Sequence, residues 1–244
     1  GGSQVGHTDA PFAEETIVQS GEQSGPIYYN NTAVGTNTSI GERSFDDPLN
    51  LASNGADTLR LYYRGKAVTF QAAYDGSIAM SAEGSDIQGT ADQFRFAYKT
   101  LTGNGSITVR VDSIERANVW SKAGIMIRNS LEPNDVHATA VLAANNTAEM
   151  ESRTTKGGTT TTADVTNLGN PCWLKISRSG NDFTVQRSKD GTNWYSFGTD
   201  ANVPSKVTIT MGSTVYIGLV VTSHTADVLA AATFYGASTT GSVS

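Results

Sequence analysis

The sequence predicts an all-β protein: an antiparallel β-sandwich with a smaller β segment ahead of it. Apolar and polar residues alternate with a period of two along most of the 244-residue chain, and windows of helical length lack an apolar stripe at i, i+3, i+4 and i+7. Asn104-Gly105 and Asp190-Gly191 sit between alternating runs, and both dipeptides tolerate the positive φ of tight hairpins, so antiparallel pairing follows. A chain of this length buries roughly 70 to 75% of its unfolded surface, so its core needs neither disulfide nor metal.

Taken in order, residues 1–12 are polar and Gly-rich and read as an extended arm. Residues 13–83 hold short β-prone runs at Ile17-Val18, Pro26 to Asn31, Ser39 to Phe45 and Thr58 to Arg64, with turn signals at Asp46-Asp47-Pro48 and Asn54-Gly55. About four strands are too few for an independent sandwich, so this part is expected to lean on the rest of the chain or on a neighbour. Residues 84–238 carry the main sandwich. Its expected strands are Gln93 to Thr100, Ser106 to Ile114, Ala123 to Arg128, His137 to Ala143, Ala148 to Thr155, Trp173 to Ser177, Phe183 to Arg187, Val215 to Thr222 and Ala230 to Tyr235. Residues 239–244 read as a polar tail.

Composition narrows the function. Cys172 is alone, which forbids an internal disulfide and thiolate metal clusters, and His7, His137 and His224 lie far apart in sequence, which argues against zinc. The net charge is −6 and Lys and Arg do not cluster, so there is no electrostatic footprint for nucleic acid or an anionic membrane. No apolar run approaches the roughly 18 residues of a membrane span. With 16% charged residues and abundant Gly, Ser, Thr, Ala and Asn, the chain has an exported composition, and a secreted or cell-surface location is expected. Its start at Gly1-Gly2-Ser3, without Met, reads as that of a processed or excised piece.

An ordered series of motifs adds a resemblance. It comprises Gly89 to Phe94, Leu101 to Ile107, Trp120 to Arg128, Arg153-Thr154-Thr155, Trp173-Leu174-Lys175, Asp190 to Trp194, and Val215 to His224. The segment from Asp86 to about Tyr235 thereby resembles a concanavalin A-like jelly-roll module of large secreted bacterial proteins. The stretch from Val5 to Gly65 resembles an abbreviated part of a carbohydrate-binding-type jelly roll that precedes it. The resemblance implies a two-sheet sandwich and makes glycan binding the first expectation, although fold does not fix function.

Candidate site residues come from strand parity. In Lys122 to Arg128, Lys122, Gly124, Met126 and Arg128 share one face, and a face mixing Gly with Arg and Lys can offer a shallow polar floor bordered by Trp120. Alternatively, Met126 and Trp120 are core and Arg128 makes a structural ion pair. Glu149, Glu151 and Arg153 share a face of the next candidate strand; two carboxylates there invite a glycosidase reading, but the spacing lacks the signature of sandwich glucanases. Ser223 and His224 alternate in direction, which argues against a triad with Asp190 or Asp227 and leaves His224 as a strand-end cap or a rim ligand. Asp190 is expected to lock its turn, with Trp194 packed beneath.

The expected ligand set is therefore Trp120, Lys122, Arg128, Glu151, Arg153 and His224, in a non-catalytic module that binds a polysaccharide or glycan. A structural subunit joined to identical copies through its N-terminal arm is the rival expectation, and a glycan-cleaving enzyme stands third. A structural calcium would draw on loop oxygens of Asp46, Asp47, Asp75, Glu83 and Asp86. Asn30, Asn37, Asn104 and Asn145 begin glycosylation sequons, all expected at turns or strand ends.

Overall fold

The computed structural model describes residues 70–197 and 205–244, together with two short strands nearer the N-terminus. The chain divides into two compact units, Gly1–Gly65 and Lys66–Ser244. In the first, β1 (Gln4–Val5) pairs antiparallel with β2 (Ile27–Tyr28), so part of the expected free arm is paired within its own unit. The expected runs at Ile17-Val18, Ser39 to Phe45 and Thr58 to Arg64 lie outside the described residues.

The second unit is an antiparallel β-sandwich, and its described residues contain no helix. Its strands are β3 (Phe70–Ala72), β4 (Ser77–Gly84), β5 (Arg95–Ile114), β6 (Lys122–Arg128), β7 (His137–Ala143), β8 (Ala148–Arg153), β9 (Thr161–Val165), β10 (Cys172–Ser179), β11 (Asp182–Ser188), β12 (Ser205–Thr208), β13 (Thr214–Thr222) and β14 (Thr225–Val243). Strands β3, β4, β9 and β12 go beyond the sequence expectation. Strands β3 and β4 also move the division from residue 83 to residue 65, because β4 pairs along β14 from Ser77↔Tyr235 to Ala82↔Ala230.

Strand β5 joins the two layers. Residues 95–102 pair with β13, residues 105–111 pair with β10, and β14 runs along the other edge. The first layer is thus β12, β11, β10, the second half of β5, β14, β4 and β3; the second is β9, β8, β7, β6, β13 and the first half of β5. Asn104-Gly105 is therefore not a hairpin. Only Gly103 takes a positive φ (76°), so the chain bends without reversing, as strands do where they pass between sheets. Asn104 accepts a hydrogen bond from Gly180 N at 2.8 Å, inside a strand and not at a turn.

The supposed tail, 239–244, is a further correction. Thr239, Thr240 and Val243 continue β14 beside Ile107, Ser106 and Leu101. Asp190 does hold its turn: its carboxylate accepts from Thr192 N (2.8 Å), Asn193 N (2.7 Å) and Ser188 Oγ (2.9 Å), which depresses its pKa strongly. The core lies between the layers, with Leu174, Ile176 and Phe183 from one and Ile125, Ile127 and Ala140 from the other, and each large apolar side chain contributes about 2 kcal/mol.

Candidate functional site

Strands β6, β7 and β8 are buried on both faces, although their outward residues are largely polar. Their cover is the connection between β4 and β5, residues 85–93, a strap whose ends meet at the Asp86↔Gln93 bridge. It presses Ile87 onto Met126, Val141 and Val220, a second apolar cluster flanked by Phe94 and Phe96. Gln88 Nε2 donates to Glu151 (2.9 Å) and Thr162 (2.7 Å), Asp92 N donates to Pro133 O (2.8 Å), and Gly89 O accepts from Thr160 N (2.8 Å).

Under one end of the strap, Lys122 Nζ contacts Asp86 (2.9 Å), Glu149 (3.1 Å) and Glu151 (2.7 Å). Burial opposes its charge, but the three carboxylates outweigh that and raise its pKa. One ammonium cannot neutralise three carboxylates. Burial, with Glu149 and Asp86 as neighbours, pushes Glu151 up to about 8 against the pull of Lys122, and Glu151 Oε2 has no hydrogen-bond partner. His224, at a positive φ of 58°, places Nδ1 3.1 Å from Asp86 Oδ2.

Under the other end, Arg153 grips Asp92 bidentately at 2.6 and 2.9 Å. Its remaining donor capacity goes to Gly158 O (3.0 Å), Asp135 O (3.1 Å), Pro133 O, Gly89 O and Thr160 Oγ1. Arg128 donates to Ser130 O (2.6 Å) and to Glu132 O, and stands 3.5 Å from Asp92. His137 lies between the two guanidiniums; burial and their charge hold it well below the usual histidine range.

The expected ligand set is thereby corrected. Lys122, Arg128, Glu151 and Arg153 do share a face, but each is at most 2% exposed, and a guanidinium with its donors already engaged offers a ligand little. They anchor the strap. Of the two alternatives for this face, Met126 and Arg128 follow the structural one, whereas Trp120 is 37% exposed and outside the core. Trp120 and His224 fall at one end of the sheet, beyond the Lys122↔Thr222 pair. The ion pairing was readable as charge on one face; the strap that selects it was not, because Ser85 to Gln93 has no strand or helix period.

Among the calcium candidates, Asp46 and Asp47 lie outside the described residues. Asp75 accepts from Ser77 N and Oγ, and Asp86 faces Lys122, an ammonium where a cation would sit. Among the described residues, no three His, Cys, Asp or Glu side chains are placed to hold a metal. Asn30 and Asn37 are also outside them, and Asn145 caps a turn by accepting from Thr147 N.

What the strap leaves uncovered is a strip of rings that sequence reading did not single out. Phe94, immediately ahead of β5, alternates with Phe96 and Tyr98 within it, and Tyr216 of β13 continues them, with centroid separations of 5.9, 5.3 and 5.1 Å. Tyr98 is 47% exposed and the other three are half-buried. The i, i+2 spacing of Phe94, Phe96 and Tyr98 was the available signal. Gly218 lies opposite Tyr98 and must be glycine, since a Cβ there would meet Ala97 O at 2.1 Å. Beside the strip, a shallow pocket of about 220 Å³ is lined by Phe94, Phe96, Arg128, Leu131 and Pro133, and the Arg128 guanidinium lies over the Phe94 ring at 5.3 Å.

No family model matches the sequence, and no curated protein matches it. Solved structures do match the fold. A functionally unknown protein from Saccharomyces cerevisiae aligns over 73% of this chain and 93% of its own, with TM-score 0.55 and 16% identity. The alginate lyase A1-II′ aligns over 73% and 85%, with TM-score 0.50 and 11% identity. The fold is a jelly-roll β-sandwich. The carbohydrate-binding module CBM66 from Bacillus subtilis also aligns, over 71% and 91%, with TM-score 0.45 and 14% identity. At these identities the likeness concerns the sandwich alone.

Proposed function

We propose that this sandwich is a non-catalytic extracellular module that binds a polysaccharide along the strip formed by Phe94, Phe96, Tyr98 and Tyr216. The contiguity of these partly exposed rings carries the reading: flat rings present apolar faces to the C–H face of a sugar. Leu131 and Pro133 bound the strip, and the ionisable side chains of the same sheet face are engaged with one another beneath the strap. Affinity electrophoresis through a panel of polysaccharides tests it. With the retarding polymer, Tyr98→Ala and Phe96→Ala each weaken binding about tenfold, roughly 1.4 kcal/mol, while Trp120→Ala leaves it unchanged. Equal retardation of wild type and both strip variants sinks the assignment, and release of reducing ends or unsaturated sugars by the wild type removes its non-catalytic part.

A further inference from the structure

The outward face of the other layer carries a second arrangement, remote in topology from the strip. Cross-strand registers place Tyr235, Arg110, Trp173 and Ser188 in one row over β14, β5, β10 and β11. At roughly 4.8 Å per strand this row spans about 15 Å. The Arg110 guanidinium lies over both rings, 4.8 Å from Tyr235 and 5.7 Å from Trp173. Two glycines fit closely against the Trp173 indole, since a Cβ on Gly236 would meet it at 2.9 Å and one on Gly191 at 3.1 Å. Tyr235 is 39% exposed.

The next row holds Thr108, Lys175 and Gln186, with Lys175 Nζ 5.4 Å from the Trp194 ring. The charged side chains of these strands are mostly paired, and the Asp190 carboxylate stands at the end of the first row, where it accepts from Ser188 Oγ at 2.9 Å. Arg110 binds Asp112 with two hydrogen bonds, and Lys206 meets Asp182 at 2.8 Å. Lys175 has no carboxylate within ion-pair distance among the described residues, so its ammonium has no counterion within the sandwich. At physiological salt, charges beyond roughly 8 Å are largely screened, so an approaching anion responds to this face and not to the net charge.

We infer that this face is a second binding surface, for a polysaccharide chain bearing carboxylate or sulfate groups, with Lys175 taking the anion and Tyr235 and Trp194 the sugar rings. Neighbouring hydroxyls and amides of Thr108 and Gln186 add donors for sugar oxygens. The surface stands independently of the strip, and the two together would let one molecule hold two chains.

Affinity electrophoresis of the full chain through polygalacturonate, dextran sulfate and neutral dextran tests it. The expected result is retardation by at least one polyanion and not by dextran, weakened at least fivefold by Lys175→Glu and about threefold by the charge-neutral Trp194→Ala. Lys156→Glu, an equal change of charge in an exposed turn, and Tyr98→Ala in the strip leave it intact. Four outcomes overturn the inference: no retardation by either polyanion, equal retardation by dextran, equal loss in Lys156→Glu, or loss in Tyr98→Ala with Lys175→Glu unaffected. Circular dichroism of each variant separates misfolding from lost binding.

Discussion

Lys122 shows how much one side chain can organise when it is buried. Its ammonium reaches three carboxylates from the strap and from β8, and side-chain exposures of 2% for Lys122 and 0% for Glu151 keep water from taking its place. Lys122→Met leaves Asp86, Glu149 and Glu151 facing one another and is expected to cost about 3–5 kcal/mol in urea unfolding. A loss below about 1 kcal/mol would mean that the carboxylates are protonated or solvated without it. Glu151 adds a pH signature. Its folded pKa, about 8, lies above the 4.5 of an unperturbed glutamate, so the folded state holds a proton that the unfolded state releases. This contribution to stability is fully present below about pH 4.5 and is lost as pH rises toward 8. Glu151→Gln mimics the protonated carboxyl and should flatten that fall, gaining on the wild type between pH 5 and pH 8 in paired thermal melts.

At the scale of elements, the strap determines what the polar sheet face can do. Residues 85–93 make no strand, yet they convert seven polar or charged residues of β6, β7 and β8 from a surface into an interior. Ile87 supplies the apolar contact and Gln88, Asp92 and Gly89 the polar ones. Ile87→Ala is expected to destabilise by about 2–5 kcal/mol and to speed hydrogen exchange through the strap more than in β10 or β11. Uniform acceleration across the sandwich would count against a separately anchored strap. Sequence patterning named the strands on either side almost to the residue, because β6 and β13 are strongly apolar and β10 and β11 alternate cleanly. It missed β3, β4, β9 and β12, which are short, polar or Gly-flanked and take their conformation from a neighbour's edge.

At the scale of the whole molecule, β5 and β14 bind the two layers into one body. The bend at Gly103 lets 20 residues serve both sheets, and the last residues of β14 pair beside that bend. Deleting residues 239–244 removes the pairing of Thr239, Thr240 and Val243 with β5, and should lower stability on the order of 2 kcal/mol, or roughly 4–8 °C in Tm. An unchanged Tm would restore the reading of these residues as a tail. The two outward faces then differ in kind: one is largely covered and leaves a strip of rings, and the other, among the described residues, carries hydroxyls, rings and one cation, Lys175, outside any ion pair.

Residue order alone determined the all-β class, the antiparallel pairing, the turn held by Asp190 and the grouping of Lys122, Glu151, Arg128 and Arg153 on one side of their sheet. Each of these depends on interactions between residues close in sequence or on the two-residue period of a strand. Tertiary structure alone decided whether that group meets solvent, because the answer rests on contacts such as Gln88 with Glu151 and Asp92 with Arg153, each spanning more than 60 residues. Periodicity says which way a side chain points; only the folded chain determines what stands in front of it.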